Sequence, residues 1–410
     1  MTTAAPVQHP GATADPTATL QAVDRGSRHL VVHWADGHQS RYNYLWLRDN
    51  CPSGGSKLSA VRTFTVVDMD PDLAPVQVER QDPHSLTITW PGGATSVFQG
   101  TWLRNHCHEP ASVAARKRPL QPWTAAQLQG QLPSADLAAV ETDPVQQLGF
   151  LEQLADYGFV LVRGVPAKPE GTERLARQVG YIRETDFGRV FDIISEPTAW
   201  DLSQSQEALH PHTDDPYRYS PPGISVLHCL QASEGEGGRS LMVDGLGACL
   251  ALRQADPCAF ELLATVAVPF IRYREDPVPQ GADVHLRAVA PVINLDRDGD
   301  VCGLRFHERS MAPLDMDPAL MDDYYRALIE LCRLLYGERF CIGHQLQPGE
   351  AWVFDNQRVL HGRSSFKGGS GRRHLRICTT DRDAFHSRLR LALSRHQRPG
   401  AHDALPAGAL

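Results

Sequence analysis

An α+β enzyme with a β-sandwich or barrel core, preceded by a small β-rich module, is the fold that this 410-residue sequence predicts. Three observations carry it. Short alternating apolar stretches broken by Gly, Pro and Asp turns fill residues 29–107. Segments of helical period bracket a strand between 143 and 163, and one long helix recurs at 317–336. Elsewhere beyond Ile182, strand-like runs and long loops continue to the C-terminus.

Residues 1–20 are rich in Thr, Ala and Pro and lack Lys and Arg, so they read as a disordered tail, not a signal or transit peptide. The β-rich domain is expected over 21–109. Its first strand, 29–34, leads through the hairpin signal Asp36-Gly37 into the alternating stretch 39–47. Further strands are expected at 63–67, 76–78, 86–90 and 96–98, with no internal repeat. A Pro- and Ala-rich connector, 110–140, is expected to hold one short helix over 125–132. The catalytic domain then occupies 141–398, ahead of a tail at 399–410. Asp143 and Pro144 open a helix as N-cap and first-turn residue, Val145, Leu148, Leu151, Leu154 and Ala155 mark its apolar face, and Gly158 stops it. The strand 159–163 and a helix over 172–179 follow. Asp317-Pro318 opens the long helix, with Leu320, Tyr324, Leu328, Leu331 and Leu335 on one face.

Apolar residues make up 42% and charged residues 21%, which excludes a largely disordered chain. Forty Lys and Arg against 48 Asp and Glu leave −8, a balance that speaks against a nucleic-acid binder. No apolar run reaches the ~18 residues that span a bilayer. Nine scattered cysteines without a CxxC pair read as reduced thiols in a cytoplasmic protein.

The densest chemical signal is His210-Pro-His-Thr-Asp-Asp-Pro-Tyr217. A His-x-Asp on one strand puts both side chains on the same face, so His212 and Asp214 are placed to share a metal. His361, in Phe354-Asp-Asn-Gln-Arg-Val-Leu-His-Gly-Arg363, is the candidate for the third ligand of a two-histidine, one-carboxylate Fe(II) site. Twelve residues on, Arg373 is placed to grip the distal carboxylate of a 2-oxo acid bidentately. Each element alone is commonplace; their order and separation together are not.

With these residues in place, the sequence resembles the γ-butyrobetaine hydroxylase and trimethyllysine hydroxylase group of the taurine-dioxygenase-like Fe(II)/2-oxoglutarate oxygenases. The resemblance runs through Tyr44-Leu-Trp-Leu-Arg-Asp-Asn-Cys51, Phe98-Gln-Gly-Thr-Trp-Leu103, His212–Asp214, Pro222-Gly223, Val243-Asp-Gly245, Phe354-Asp-Asn356, Leu360-His-Gly-Arg363 and Arg373-His-Leu375. It implies a double-stranded β-helix (jelly-roll) catalytic core flanked by helices, and hydroxylation coupled to conversion of 2-oxoglutarate and O2 into succinate and CO2. It further implies Ser240 as a hydrogen-bonding partner of 2-oxoglutarate, a small-molecule substrate and a homodimer.

Two departures stand out. Many relatives hold a structural zinc through three clustered cysteines and a histidine, but here the run is Cys51-Pro-Ser-Gly-Gly-Ser56, so the module is expected to bind none. His106, Cys107 and His108 are the remaining candidate ligands. Relatives that bind trimethylammonium groups box them with aromatic rings. Phe187 and Phe191 stand at such positions, whereas Gln204 and Thr379 replace cage tyrosines and Asp201 replaces an asparagine. Asp215 and His307 complete the residues expected to meet substrate. Two readings stay open: a betaine held by Phe187 and Phe191, or an unquaternised amine, amino acid or other small metabolite, with a cation that carries N–H groups held by Asp201 or Asp215 as well. A ligand-binding relative with a silent metal site is the alternative outside catalysis.

Overall fold

The computed structural model describes residues 18–51, 65–119, 121–194, 208–232, 237–274, 283–365 and 373–396. The chain divides into two compact units, built on Met1–Lys117 and on Arg118–Arg398.

In the first unit, Leu20–Arg25, His29–Trp34 and Gln39–Asn43 form one antiparallel sheet, and Gln77–Asp82, Ser85–Thr89 and Thr95–Gln99 form another. Each third strand runs into a one-turn-and-a-half helix, Tyr44–Asp49 or Gly100–Asn105. The two halves are an internal repeat, contrary to the sequence expectation. Leu30, Val32, Trp34, Ser40, Tyr42, Trp46, Leu47, Arg48 and Cys51 are each answered 56 residues later by Leu86, Ile88, Trp90, Ser96, Phe98, Trp102, Leu103, Arg104 and Cys107. In both halves a buried indole N–H donates to a buried serine hydroxyl at 2.8 Å, Trp34 to Ser40 and Trp90 to Ser96. Without that partner a buried donor costs about 1–3 kcal/mol. Trp46 and Trp102 pack on each other, centroids 5.5 Å apart. The loops between these positions differ, which hid the repeat.

Three expectations for this unit are corrected. The strand expected over 39–47 ends at Asn43, because Tyr44 and Leu47, three apart, turn one helical face into the core. Val66–Asp68, within the expected strand 63–67, is a 3-10 turn with Val66 and Val67 exposed; 63 and 64 lie outside the described residues. Ala18 and Leu20 are buried, so the tail expected over 1–20 does not reach Leu20; 1–17 lie outside the described residues, as does 399–410.

The second unit rests on two sheets. One has six strands in the order Ser134–Asp136, Phe159–Arg163, Ala351–Asp355, Ile224–Gln231, His374–Thr380, Phe191–Ile194. The other has four: Leu209–His212, Val359–Arg363, Ser240–Asp244, Cys341–His344. Alternation decides the layers. Phe159, Leu161, Leu227, Trp352, Phe354 and Leu375 from the first sheet meet Met242 and Val359 from the second in one core. The intervening Val160, Val162, Val226, Ala351 and Val353 face the opposite way, onto the helices Pro144–Tyr157, Pro169–Ala176 and Arg382–Arg395.

Asp143 caps the Pro144–Tyr157 helix by accepting from the Val145 N–H at 2.8 Å, and Gly158 ends it in the left-handed region, φ 77°. Val145 and Leu320, expected on apolar faces, are exposed. The helix expected over 172–179 is Pro169–Ala176, and that over 125–132 is Ala125–Leu128. Connector residues also form Pro110–Arg116 and Leu137–Thr142. Helices Gly245–Ala255, Pro257–Thr265 and Arg382–Arg395 went unexpected. The second repeats the Asp-Pro opening seen at 143 and 317: Asp256 accepts from the Ala259 N–H at 3.0 Å.

Candidate active site

His212 and His361 face each other as direct Cα partners on neighbouring antiparallel strands. Their rings lie 4.5 Å apart. Asp214 is not on that strand, as the His-x-Asp reading expected; Leu209–His212 ends first, and the carboxylate returns from the loop beyond. Its Oδ1 stands 3.5 Å from His212 Nε2 and 3.6 Å from His361 Nε2. Among the described residues these three form the one group of three or more His, Cys, Asp or Glu side chains whose donor atoms converge, all within 4.8 Å.

The loop is pinned by residues the sequence reading left without a role. The Asp214 N–H donates to Asn356 Oδ1 at 2.8 Å, and Asn356 Nδ2 donates back to the Asp214 carbonyl at 3.1 Å. The Thr213 N–H donates to the Phe306 carbonyl at 2.7 Å, and the Phe306 N–H to Thr213 Oγ1 at 2.9 Å. Asn356 is wholly buried at the tight turn between Ala351–Asp355 and Val359–Arg363. Asn356→Leu is therefore expected to leave the N–H and carbonyl of Asp214 without these partners, costing about 1–3 kcal/mol. Metal affinity should fall about 10–100-fold, as for other groups that orient a ligand from behind. Mn(II) titration and denaturant unfolding check this; unchanged affinity would mean that the Thr213–Phe306 bridge alone places Asp214.

The donor set suits an Fe(II) ion. His212 Nδ1–H donates to the His210 carbonyl at 2.9 Å, which leaves the Nε2 lone pair facing Asp214. Burial opposes ionisation of Asp214, yet His361, His212 and His307 around it hold its carboxyl well below the usual range. Burial also keeps His361 neutral, with its pKa pushed down to about 4. Two imidazole nitrogens and one carboxylate are what a non-haem iron site uses.

The three donors open on a cavity of about 500 Å³ whose lining includes Ser240, Arg363, Arg373, Phe187, Phe191 and Thr379. His307 lines it too, 4.4 Å from the His212 ring. Arg373 is 6% exposed. Among the described residues no carboxylate reaches ion-pair distance of it. Burial, with Arg363 beside it, lowers its pKa to about 10. A desolvated guanidinium of this kind seeks an anion. Arg376 is instead committed to Asp192 at 3.1 Å.

The substrate end differs from expectation. Phe187 and Phe191 meet edge to face at 5.2 Å, but the guanidinium of Arg272 already lies over Phe187, 4.1 Å from its centroid. Asp215 lines the cavity with its carboxylate already engaged: it accepts from the Tyr217 hydroxyl at 2.5 Å and from Arg218 Nε at 2.6 Å. Asp201 and Gln204 lie outside the described residues. Arg272 had no signal in the sequence, since it sits on a hairpin strand, Val268–Arg274, far along the chain from Phe187.

The site belongs to an enzyme class, the iron- and 2-oxoglutarate-dependent dioxygenases. The chain belongs to the taurine catabolism dioxygenase TauD, TfdA family, which matches residues 116–379, and a gamma-butyrobetaine hydroxylase-like N-terminal domain matches 22–90. It is 37% identical to the gamma-butyrobetaine dioxygenase of Pseudomonas sp. (strain AK-1), over 88% of this chain and 92% of that protein. It is 33% identical to the mitochondrial trimethyllysine dioxygenase of Rattus norvegicus, over 87% and 83%. A taurine dioxygenase structure from Burkholderia xenovorans aligns at 17% identity, over 64% of this chain and 89% of that one, with a TM-score of 0.46. No described helix is long and apolar enough to cross a membrane.

Proposed function

We propose that this dioxygenase hydroxylates an unactivated C–H bond of a betaine-like small molecule, as the names of its relatives suggest. The observation that carries the reading is one cavity holding both the converged His212, Asp214 and His361 donors and the buried Arg373 cation. The three donors hold Fe(II), and Arg373, with Ser240 beside it, holds the distal carboxylate of 2-oxoglutarate. Fe(II) bound there supplies the coupling of 2-oxoglutarate decarboxylation by O2 to C–H oxidation. The chain's own part is placement and water exclusion: Phe187, Phe191, His307 and Thr379 wall the substrate space. Asp215 already accepts from Tyr217 and Arg218, which supports a betaine over an unquaternised cation.

The two sheets support a double-stranded β-helix over 141–398, and the duplicated meander supports a separate domain over 21–109. Nine free cysteines accord with a reducing, cytoplasmic setting, and the family resemblance with a homodimer. A panel of betaines, amines and amino acids, scored by substrate-dependent succinate release, tests the function. A betaine should lead; succinate release that no panel member stimulates would reject the substrate class.

A further inference from the structure

The cavity wall is strongly basic. Arg183, Arg189, Arg272, Arg309, Arg363 and Arg373 line it among the described residues, against Asp214 and Asp215. Some of this charge is answered from behind: Arg183 reaches Asp381 at 3.4 Å, and Arg189 reaches Glu173 at 3.4 Å. Arg272 is answered poorly. Among the described residues its one carboxylate contact is Nε to Asp186 Oδ2 at 3.7 Å, too long for a hydrogen bond, and Asp186 Oδ1 is taken by Arg218. One terminal nitrogen donates to the Tyr217 hydroxyl at 3.0 Å; Nε has no hydrogen-bond partner among the described residues. A guanidinium stacked on a ring uses only its face, so its in-plane N–H groups stay available to a carboxylate. The same stacking fills the ring face that a quaternary ammonium needs, since two cations repel over one ring.

We propose that Arg272 determines specificity by receiving a carboxylate of the substrate at the Phe187 end of the pocket. This deepens the dioxygenase reading and rests on it: the substrate is a carboxylate-bearing small molecule oriented with its anionic end on Arg272. Any ammonium it carries lies away from the Phe187 face. A cation without a carboxylate is rejected by the basic wall.

The test is calorimetric titration without O2, on full-length protein loaded with Fe(II) and 2-oxoglutarate, using γ-butyrobetaine and its methyl ester as matched probes. The wild type should bind the acid at least about tenfold more tightly than the ester, the lower end of what a charge-assisted pair gives. Arg272→Gln should weaken the acid by about 10–100-fold and erase the preference for it over the ester. Arg272→Lys, a point charge without the planar fork, should fall between the two and carries the comparison if the Gln variant does not fold. Equal binding of acid and ester by the wild type overturns the proposal. So does an Arg272→Gln variant that binds γ-butyrobetaine as well as or better than the wild type, because Arg272 then only blocks a cation seat. Failure of the dioxygenase reading looks different: wild-type protein with Fe(II) would not bind 2-oxoglutarate at all.

Discussion

Replacing His212, Asp214 or His361 by alanine is expected to abolish turnover and to remove tight metal binding while the fold persists. Each side chain contributes one of three converged donors, with Asp214 at 3.5 and 3.6 Å from the two imidazoles, and among the described residues no other His, Cys, Asp or Glu joins that group. The loss should exceed the roughly 10–100-fold that follows from disturbing a group behind a ligand, because here the ligand itself goes. Anaerobic Fe(II) or Mn(II) titration reads this directly, independent of catalysis. Asp214→Ala is the most telling of the three. It removes a loop carboxylate whose backbone stays clamped by Asn356. Stoichiometric metal binding by that variant would show that the ligand assignment is wrong.

Arg373→Ala is expected to raise the KM for 2-oxoglutarate by about 10–100-fold, the worth of a bidentate charge-assisted pair of roughly 1.5–3 kcal/mol. Without 2-oxoglutarate the same substitution should not lower the melting temperature. A buried cation with no described carboxylate partner, crowded by Arg363, costs the empty protein free energy that alanine does not. The two readouts together separate a ligand-binding arginine from a structural one. An unchanged KM would move the role to Arg363, which is also buried and lines the same cavity. Arg376 is occupied by Asp192, and Arg372 lies outside the described residues.

Local signals in the sequence were dependable where one residue's backbone chemistry decides the outcome. Asp143-Pro144 and Asp317-Pro318 open helices because the aspartate side chain caps an N–H and proline lacks one. The same signal stands at Asp256-Pro257, where the aspartate caps the Ala259 N–H. The repeat of the N-terminal unit was also legible, in Trp-Leu-Arg at 46–48 and 102–104 and in the cysteines at 51 and 107. It is carried by buried positions, with loops free to diverge between them, so no continuous stretch announces it.

The sequence by itself determined which residues are available as metal donors, their order along the chain, and the arginine twelve residues after the last of them. Those facts follow from side-chain chemistry, which needs no coordinates. Only the tertiary structure decided how they meet. Strand alternation was expected to place Asp214 beside His212, but the strand ends too early. The carboxylate is instead positioned by Asn356, which approaches from 142 residues away along the chain. Likewise the Phe187 ring face is filled by Arg272, and Asp215 by Arg218. Ring stacking and competition between charges depend on which groups the packed chain brings within a few ångströms, and neither period nor spacing encodes that.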